Sequence, residues 1–213
     1  AILLCLAAIY LGFLFPSPEF PLYNADDGSF FVSLAINLAE HGRYSIDGYP
    51  FSEYGRHATW PVLFPLLLAS VIAVEGLSWW AIKLIMVLAA VTALYLLSRF
   101  WKDRPEGQAA VILLGLSPMF FLYAHHTMAE IPYMAMIAAS LLALKNCRNT
   151  GSAALAGLLA ALAFLTRGYA VTLLPAALLY IFLQQDQAWR KRLTTALAFA
   201  LPDKALGEDV AAA

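Results

Sequence analysis

Charge is what this sequence has least of. Only 13% of its 213 residues are Asp, Glu, Lys or Arg, against about 25% in an ordinary soluble domain. The deficit runs the length of the chain, as apolar stretches separated by short charged clusters, and it excludes an ordinary water-facing surface. A basic excess is also missing. The net charge is −1 and no basic stripe exists, so a nucleic-acid partner is excluded. Cysteine is scarce too: Cys5 and Cys147 each lie in or beside an apolar stretch, which excludes a disulfide framework and leaves buried or free thiols. The HExxH pattern of zinc proteases does not occur.

What the sequence does have is apolar residue, 62% of the chain, with a mean hydropathy of +0.73. Successive apolar stretches of this kind predict an all-α polytopic membrane protein, because a helix in lipid satisfies its own backbone hydrogen bonds. The whole of 1–213 reads as one membrane domain. Residues 1–15 form a first span, halted at Pro16-Ser17-Pro18 where proline removes a donor. No small-residue cleavage site follows, so a signal peptide is not the reading. The chain opens on Ala1, so a preceding stretch is expected to complete this span.

Residues 16–76 read as an external loop containing two short helices. Over 29–41, Phe30, Phe31, Leu34, Ile36, Leu38 and Ala39 oppose Asn37, Glu40 and His41. This predicts an amphipathic helix lying in the interface, ended by Gly42. Residues 43–59 are polar and aromatic, including Arg56 and His57. The apolar stretch 61–74 is too short for a span and predicts a re-entrant or interfacial helix. Trp79-Trp80 marks an interface, 81–100 crosses, and Lys83 snorkels toward head groups. Further spans are expected at 107–123, 129–144, 152–166 and 169–183, with a last apolar piece from 193 to Pro202. The tail 202–213 resembles neither span nor loop of a finished protein, so the chain is expected to be a fragment of a longer one.

Basic residues set the expected orientation. Arg99, Lys102 and Arg104, then Lys145 and Arg148, then Arg190, Lys191 and Arg192 form three clusters. If 61–74 does not cross, all three fall on the cytoplasmic side. Asp26-Asp27, the turn at His125–Glu130 and Arg167 then share the opposite face.

Each of these polar features has two readings. Asp26 and Asp27 are adjacent carboxylates, suited to a divalent cation such as Mg or Mn, or to general-base work. The plainer alternative is an N-cap for the helix that follows. His126 and Glu130 are four apart, so on one helix they would share a face and suit a metal ion; His125 would line the same turn. The plainer alternative is a turn facing water, although a carboxylate at membrane depth is costly and tends to be functional. Arg167, between two apolar stretches, is either a snorkelling loop arginine or a phosphate ligand facing the acidic side chains.

The order of motifs adds a resemblance. An acidic pair precedes an amphipathic helix ending Glu40-His41-Gly42-Arg43-Tyr44; Trp60-Pro61 and Pro65-Leu66-Leu67 follow, then a Glu130-Ile131-Pro132 turn and Leu165-Thr166-Arg167-Gly168. Over roughly residues 1–190 this resembles the N-terminal half of GT-C membrane glycosyltransferases. The similar branch is the one holding protein O-mannosyltransferases and aminoarabinose-lipid A transferases. The resemblance implies a polyprenyl-phosphate-linked sugar donor, a protein, lipid or glycan acceptor, and inverting transfer on the extracytoplasmic side of a plasma or endoplasmic-reticulum membrane. It implies Asp26 as catalytic base, Asp27 and Glu130 as further acidic residues of the site, with Asp27 and Glu130 as metal ligands if a cation is used, and Arg167 beside the donor phosphate. Arg56, His57, His125 and His126 are candidate lining residues. A non-catalytic polyprenyl-lipid-binding subunit, or a transporter-like one, is the competing reading.

Overall fold

A computed structural model describes residues 2–13, 27–45, 61–147, 149–183 and 189–201. The described residues form helices joined by turns and short extended connections, with no strand among them. The helices are α1 (Ile2–Gly12), α2 (Asp27–His41), α3 (Leu63–Glu75), α4 (Trp79–Phe100), α5 (Pro105–Leu116), α6 (Pro118–His125), α7 (Glu130–Lys145), α8 (Thr150–Thr166), α9 (Leu173–Leu183) and α10 (Trp189–Ala200).

The central helix is α4. Its start is set by Ser78, in extended conformation, whose side chain accepts a hydrogen bond from the Ala81 N–H at 3.4 Å. Its 22 residues span about 33 Å. One side, carrying Ile82, Met86, Val87, Ala90, Ala93 and Leu94, is buried, while Leu84, Leu88 and Tyr95 on the other stay exposed. That division is what an apolar helix shows when lipid rather than water is its solvent. Lys83 does not snorkel. It sits on the buried side, 7% exposed, because its position puts it in line with Val87 and Ala90.

Among the described residues α4 alone is long and apolar enough to cross a membrane, and α5 with α6 would make a second crossing if taken together. The expected span over 107–123 is broken. Ser117 is extended (φ −65°, ψ 126°), as the residue before a proline tends to be, Pro118 opens α6, and the two halves meet at a 58° bend. The expected span over 169–183 is broken as well, into a 3-10 turn Gly168–Thr172 followed by α9. The remaining helices run from 11 to 17 residues, below the roughly 20 a perpendicular crossing needs.

The amphipathic helix of the sequence is present as α2, but its apolar face is not open to lipid. Phe31, Val32, Leu34 and Ala35 are buried, and Phe31 meets Phe64 of α3 edge-on at 5.0 Å between ring centres. Gly42, with φ 62°, ends α2 in the left-handed region that glycine adopts without strain. Beyond it Asn37 donates to the Ser45 carbonyl at 2.7 Å and the Tyr44 hydroxyl donates to the Pro61 carbonyl at 3.3 Å. Burial pushes the Tyr44 phenol up to about 12.

Helices α7 and α8 form an antiparallel hairpin. Asn149 and Ser152 build a reciprocal cap that starts α8, and the buried Ser140 hydroxyl donates to the Ala156 carbonyl at 2.8 Å. Small residues on α8 (Ala153, Ala154, Ala156, Gly157) are buried and admit α10 closely. At the far end of the hairpin, the Lys145 ammonium donates to the Phe100 carbonyl at the end of α4 and lies 5.1 Å over the Phe100 ring. Two of the basic clusters therefore cap and flank helix C-termini at one end of the bundle. Arg192 does the same for α9, donating to the Phe182 carbonyl at 3.1 Å.

Candidate functional site

The end of the hairpin opposite Lys145 carries the charges. Glu130 is the first residue of α7, a position where the helix dipole favours a carboxylate. Arg167 follows the last residue of α8 in extended conformation (φ −151°, ψ 120°). Its N–H closes α8 on the Ala163 carbonyl at 2.9 Å, and its carbonyl accepts from Ala170 N–H at 3.0 Å to open the 3-10 turn. The backbone at Arg167 thus serves both elements and turns its side chain out of the helical path.

The antiparallel pairing brings these two residues together. Arg167 Nη2 lies 2.5 Å from Glu130 Oε1, with the arginine side chain 18% exposed and the glutamate 35%. A guanidinium–carboxylate contact this short is charge-assisted. The guanidinium also stands 5.8 Å from the centre of the Tyr169 ring. The second carboxylate oxygen, Glu130 Oε2, is buried and has no hydrogen-bond partner among the described residues. A buried carboxylate oxygen left in that state carries a desolvation cost, a feature that collects at sites made for a ligand.

Behind the pair, the buried Thr166 hydroxyl donates to the Leu162 carbonyl at 2.8 Å and touches the Met136 sulfur at 3.2 Å, which fixes the last turn of α8 against α7. Tyr133, one turn along α7, lies within the field of the Arg167 charge. The sequence reading missed Tyr133 and Tyr169. The signal was available in their spacing, since Tyr133 is three residues from Glu130 and Tyr169 two from Arg167.

His125 and His126 do not share a helix with Glu130. His125 is the last residue of α6 and His126 the extended residue that caps it (φ −102°, ψ 152°). Glu130 begins a different helix, so the four-residue spacing does not place His126 and Glu130 on one helical face. His125 turns toward α1: its Nδ1 lies 2.8 Å from the Phe121 carbonyl and its Nε2 3.2 Å from the Tyr10 carbonyl. Asp27 is the first residue of α2, while Asp26, Arg56 and His57 lie outside the described residues. Among the described residues no group of three or more His, Cys, Asp or Glu side chains gathers. Glu130 Oε1 already faces the Arg167 guanidinium.

A family model described as dolichyl-phosphate-mannose-protein mannosyltransferase matches residues 59–202. The match takes in α3 to α10, with Glu130 and Arg167, and does not extend to Asp26 and Asp27. No curated protein and no solved structure matches the chain.

Proposed function

Because the chain belongs to the dolichyl-phosphate-mannose-protein mannosyltransferase family, we propose that it transfers a sugar from a polyprenyl-phosphate donor to an acceptor on the extracytoplasmic side. Membership of the family makes the chain a membrane mannosyltransferase-like glycosyltransferase. The observation that carries the finer reading is the Glu130–Arg167 pair. It sets a planar cation, held by one carboxylate and flanked by an aromatic ring, at one end of an apolar helical bundle. In this reading the phosphate of a membrane-embedded lipid donor lies there, since guanidinium suits phosphate oxygens.

In this reading Asp26 takes the proton from an acceptor hydroxyl, and the oxygen attacks the anomeric carbon of the donor sugar. The bond from that carbon to the lipid phosphate breaks, and its electron pair leaves with the phosphate. Arg167 stabilises the charge that builds there. Attack opposite the leaving group inverts the anomeric configuration. Phosphate is a good leaving group, so no general acid is assigned. In this reading the acceptor is a protein, lipid or glycan hydroxyl, and the family's description supports the protein. In this reading the bundle spans the membrane with short and bent helices beside α4, and the basic clusters that contain Lys145 and Arg192 face the cytoplasm. If Mg or Mn takes part, Asp27 is the better-suited ligand of the two acidic candidates, and no step is routed through a cation.

The test is transfer of labelled mannose from a short-chain polyprenyl-phosphate donor to a Ser/Thr peptide, with the protein in lipid nanodiscs. Asp26→Asn is expected to abolish turnover while donor binding persists, and Arg167→Ala to weaken donor binding about tenfold or more. Full turnover in both Asp26→Asn and Asp27→Asn would overturn the assignment of the base. Donor binding in Arg167→Ala equal to wild type would overturn that of the phosphate ligand.

A further inference from the structure

The bend between α5 and α6 is held by one residue of α1 used twice. Breaking the helix at Ser117 leaves carbonyls at the end of α5 without a helical partner. One of them, Gly115 O, accepts a buried hydrogen bond from the Tyr10 hydroxyl at 2.9 Å. Tyr10 lies near the end of α1, which closes at Gly12, so its own carbonyl is also among the unsatisfied terminal ones. His125 supplies the partner: Nε2 lies 3.2 Å from Tyr10 O, while Nδ1 lies 2.8 Å from Phe121 O. Both ring nitrogens face carbonyl oxygens, and the nitrogen that carries the ring proton donates to the carbonyl it faces.

Ring packing reinforces the same point. The imidazole lies 4.3 Å from the Phe121 ring and 5.8 Å from the Tyr10 ring, and Tyr10 meets Phe121 edge-on at 5.1 Å. Phe13, just past α1, meets Phe121 edge-on at 5.3 Å. Tyr10 is 1% exposed. The side chain of Tyr10 therefore ties α1 to the end of α5, and its carbonyl ties α1 to the end of α6. Two contacts from one residue to both arms of a bend leave little freedom in the angle.

We propose that Tyr10 and His125 form a clasp that fixes the 58° bend of α5 and α6 and thereby positions Glu130 against Arg167. The inference rests on the donor-phosphate reading of Arg167. His125 ends α6, and four residues of turn, His126 to Ala129, separate it from Glu130. In that turn Met128 N–H donates to the His126 carbonyl at 2.9 Å, which shortens the lever. A shift of α6 is passed to the first residue of α7, and displacement of a ligand-holding group by about 1 Å is enough to lose much of its effect. Tyr10 and His125 are positioning residues: they act through Glu130 and Arg167, not on the substrate.

The experiment uses the full chain in nanodiscs with Cys5→Ser and Cys147→Ser, and nitroxide labels at two exposed positions, Leu122 on α6 and Leu155 on α8. His125→Phe keeps an aromatic ring and removes both ring nitrogens, and Tyr10→Phe removes only the hydroxyl. Each is expected to broaden the label-to-label distance distribution and to raise the donor KM about three- to tenfold with kcat within about twofold. His125→Gln, which can still donate to Tyr10 O, is expected to restore part of the loss. Combining His125→Phe with Arg167→Ala is expected to raise KM no further than Arg167→Ala alone. A distribution as narrow as wild type in His125→Phe overturns the clasp. A broadened distribution with unchanged KM, or additivity with Arg167→Ala, overturns the positioning role. A wild-type chain that shows no transfer overturns the transferase reading instead, and the distance measurement still decides the clasp.

Discussion

Arg167 Nη2 sits 2.5 Å from Glu130 Oε1, and that contact closes the open end of the α7–α8 hairpin. The two residues come from the first position of one helix and the first position past the other. Neither can leave the pair without stranding a half-buried charge, and a stranded charge is more costly than a pair removed whole.

Double-mutant analysis of stability reads that relationship directly. Arg167→Met and Glu130→Gln are each expected to lower thermal stability in detergent, and the double substitution to cost less than their sum. With side chains 18% and 35% exposed, the pair falls between exposed pairs at about 0–1 kcal/mol and buried ones at about 3–5 kcal/mol. A coupling of about 1–2 kcal/mol is expected. Additive losses would mean that the two charges do not hold each other.

The sequence placed Glu130 and Arg167 on one face of the bundle through alternating hydrophobic stretches and the basic clusters, and the hairpin brings them into contact. Pattern reading was also close for α3, α4, α7 and α8, because long apolar runs bounded by Trp, Glu, Lys or Asn leave little choice of helix ends. It missed the break at Ser117-Pro118. A proline inside an apolar run argues for a break, but the uniform hydropathy of 107–123 outweighed it. The side taken by Lys83 was not legible either. Burial on α4 depends on which neighbours pack there, and a lysine near a helix start suits head groups equally well. The place of His125 was not legible for the same reason: the Tyr10 carbonyl that it faces lies more than a hundred residues earlier.

Alkaline titration tests how α2 joins α3. Burial raises the Tyr44 phenol from 10.0 to about 12, and its hydroxyl donates to Pro61 O at 3.3 Å. A raised folded-state value means that the protonated phenol favours the folded state. Its contribution is complete below pH 10 and is lost as pH rises from 10 towards about 12, since the unfolded chain releases the proton first. Tyr44→Phe is expected to remove one late-titrating phenol from the phenolate absorbance curve and to flatten the fall of stability across that window. An unchanged curve would show Tyr44 open to solvent.

Gly157 sets the distance between α8 and α10. A Cβ built there would lie 2.0 Å from the Phe199 carbonyl oxygen and 2.8 Å from its carbon. The obstacle is backbone, so no side-chain rotation relieves it, and the helices must separate. Gly157→Ala gains helix propensity of about 1 kcal/mol, while forcing an extra carbon into a packed contact costs about 1–3 kcal/mol. A 2.0 Å approach puts this site at the upper end of that cost, so a net loss of about 1–2 kcal/mol is expected, with Gly157→Leu worse. Gly12→Ala is the control: nothing lies within 4 Å of its Cβ position, and its effect is expected within about 0.5 kcal/mol. Separation has a local readout besides stability. Arg190, Lys191 and Arg192 lie in the first turns of α10, so trypsin cleavage there is expected to quicken in Gly157→Ala and not in Gly12→Ala. If Gly157→Ala matches wild type in both assays, the close crossing does not exist, and the packing of Ala196 and Phe199 against Ala156 must be looser than a Gly157-mediated contact allows.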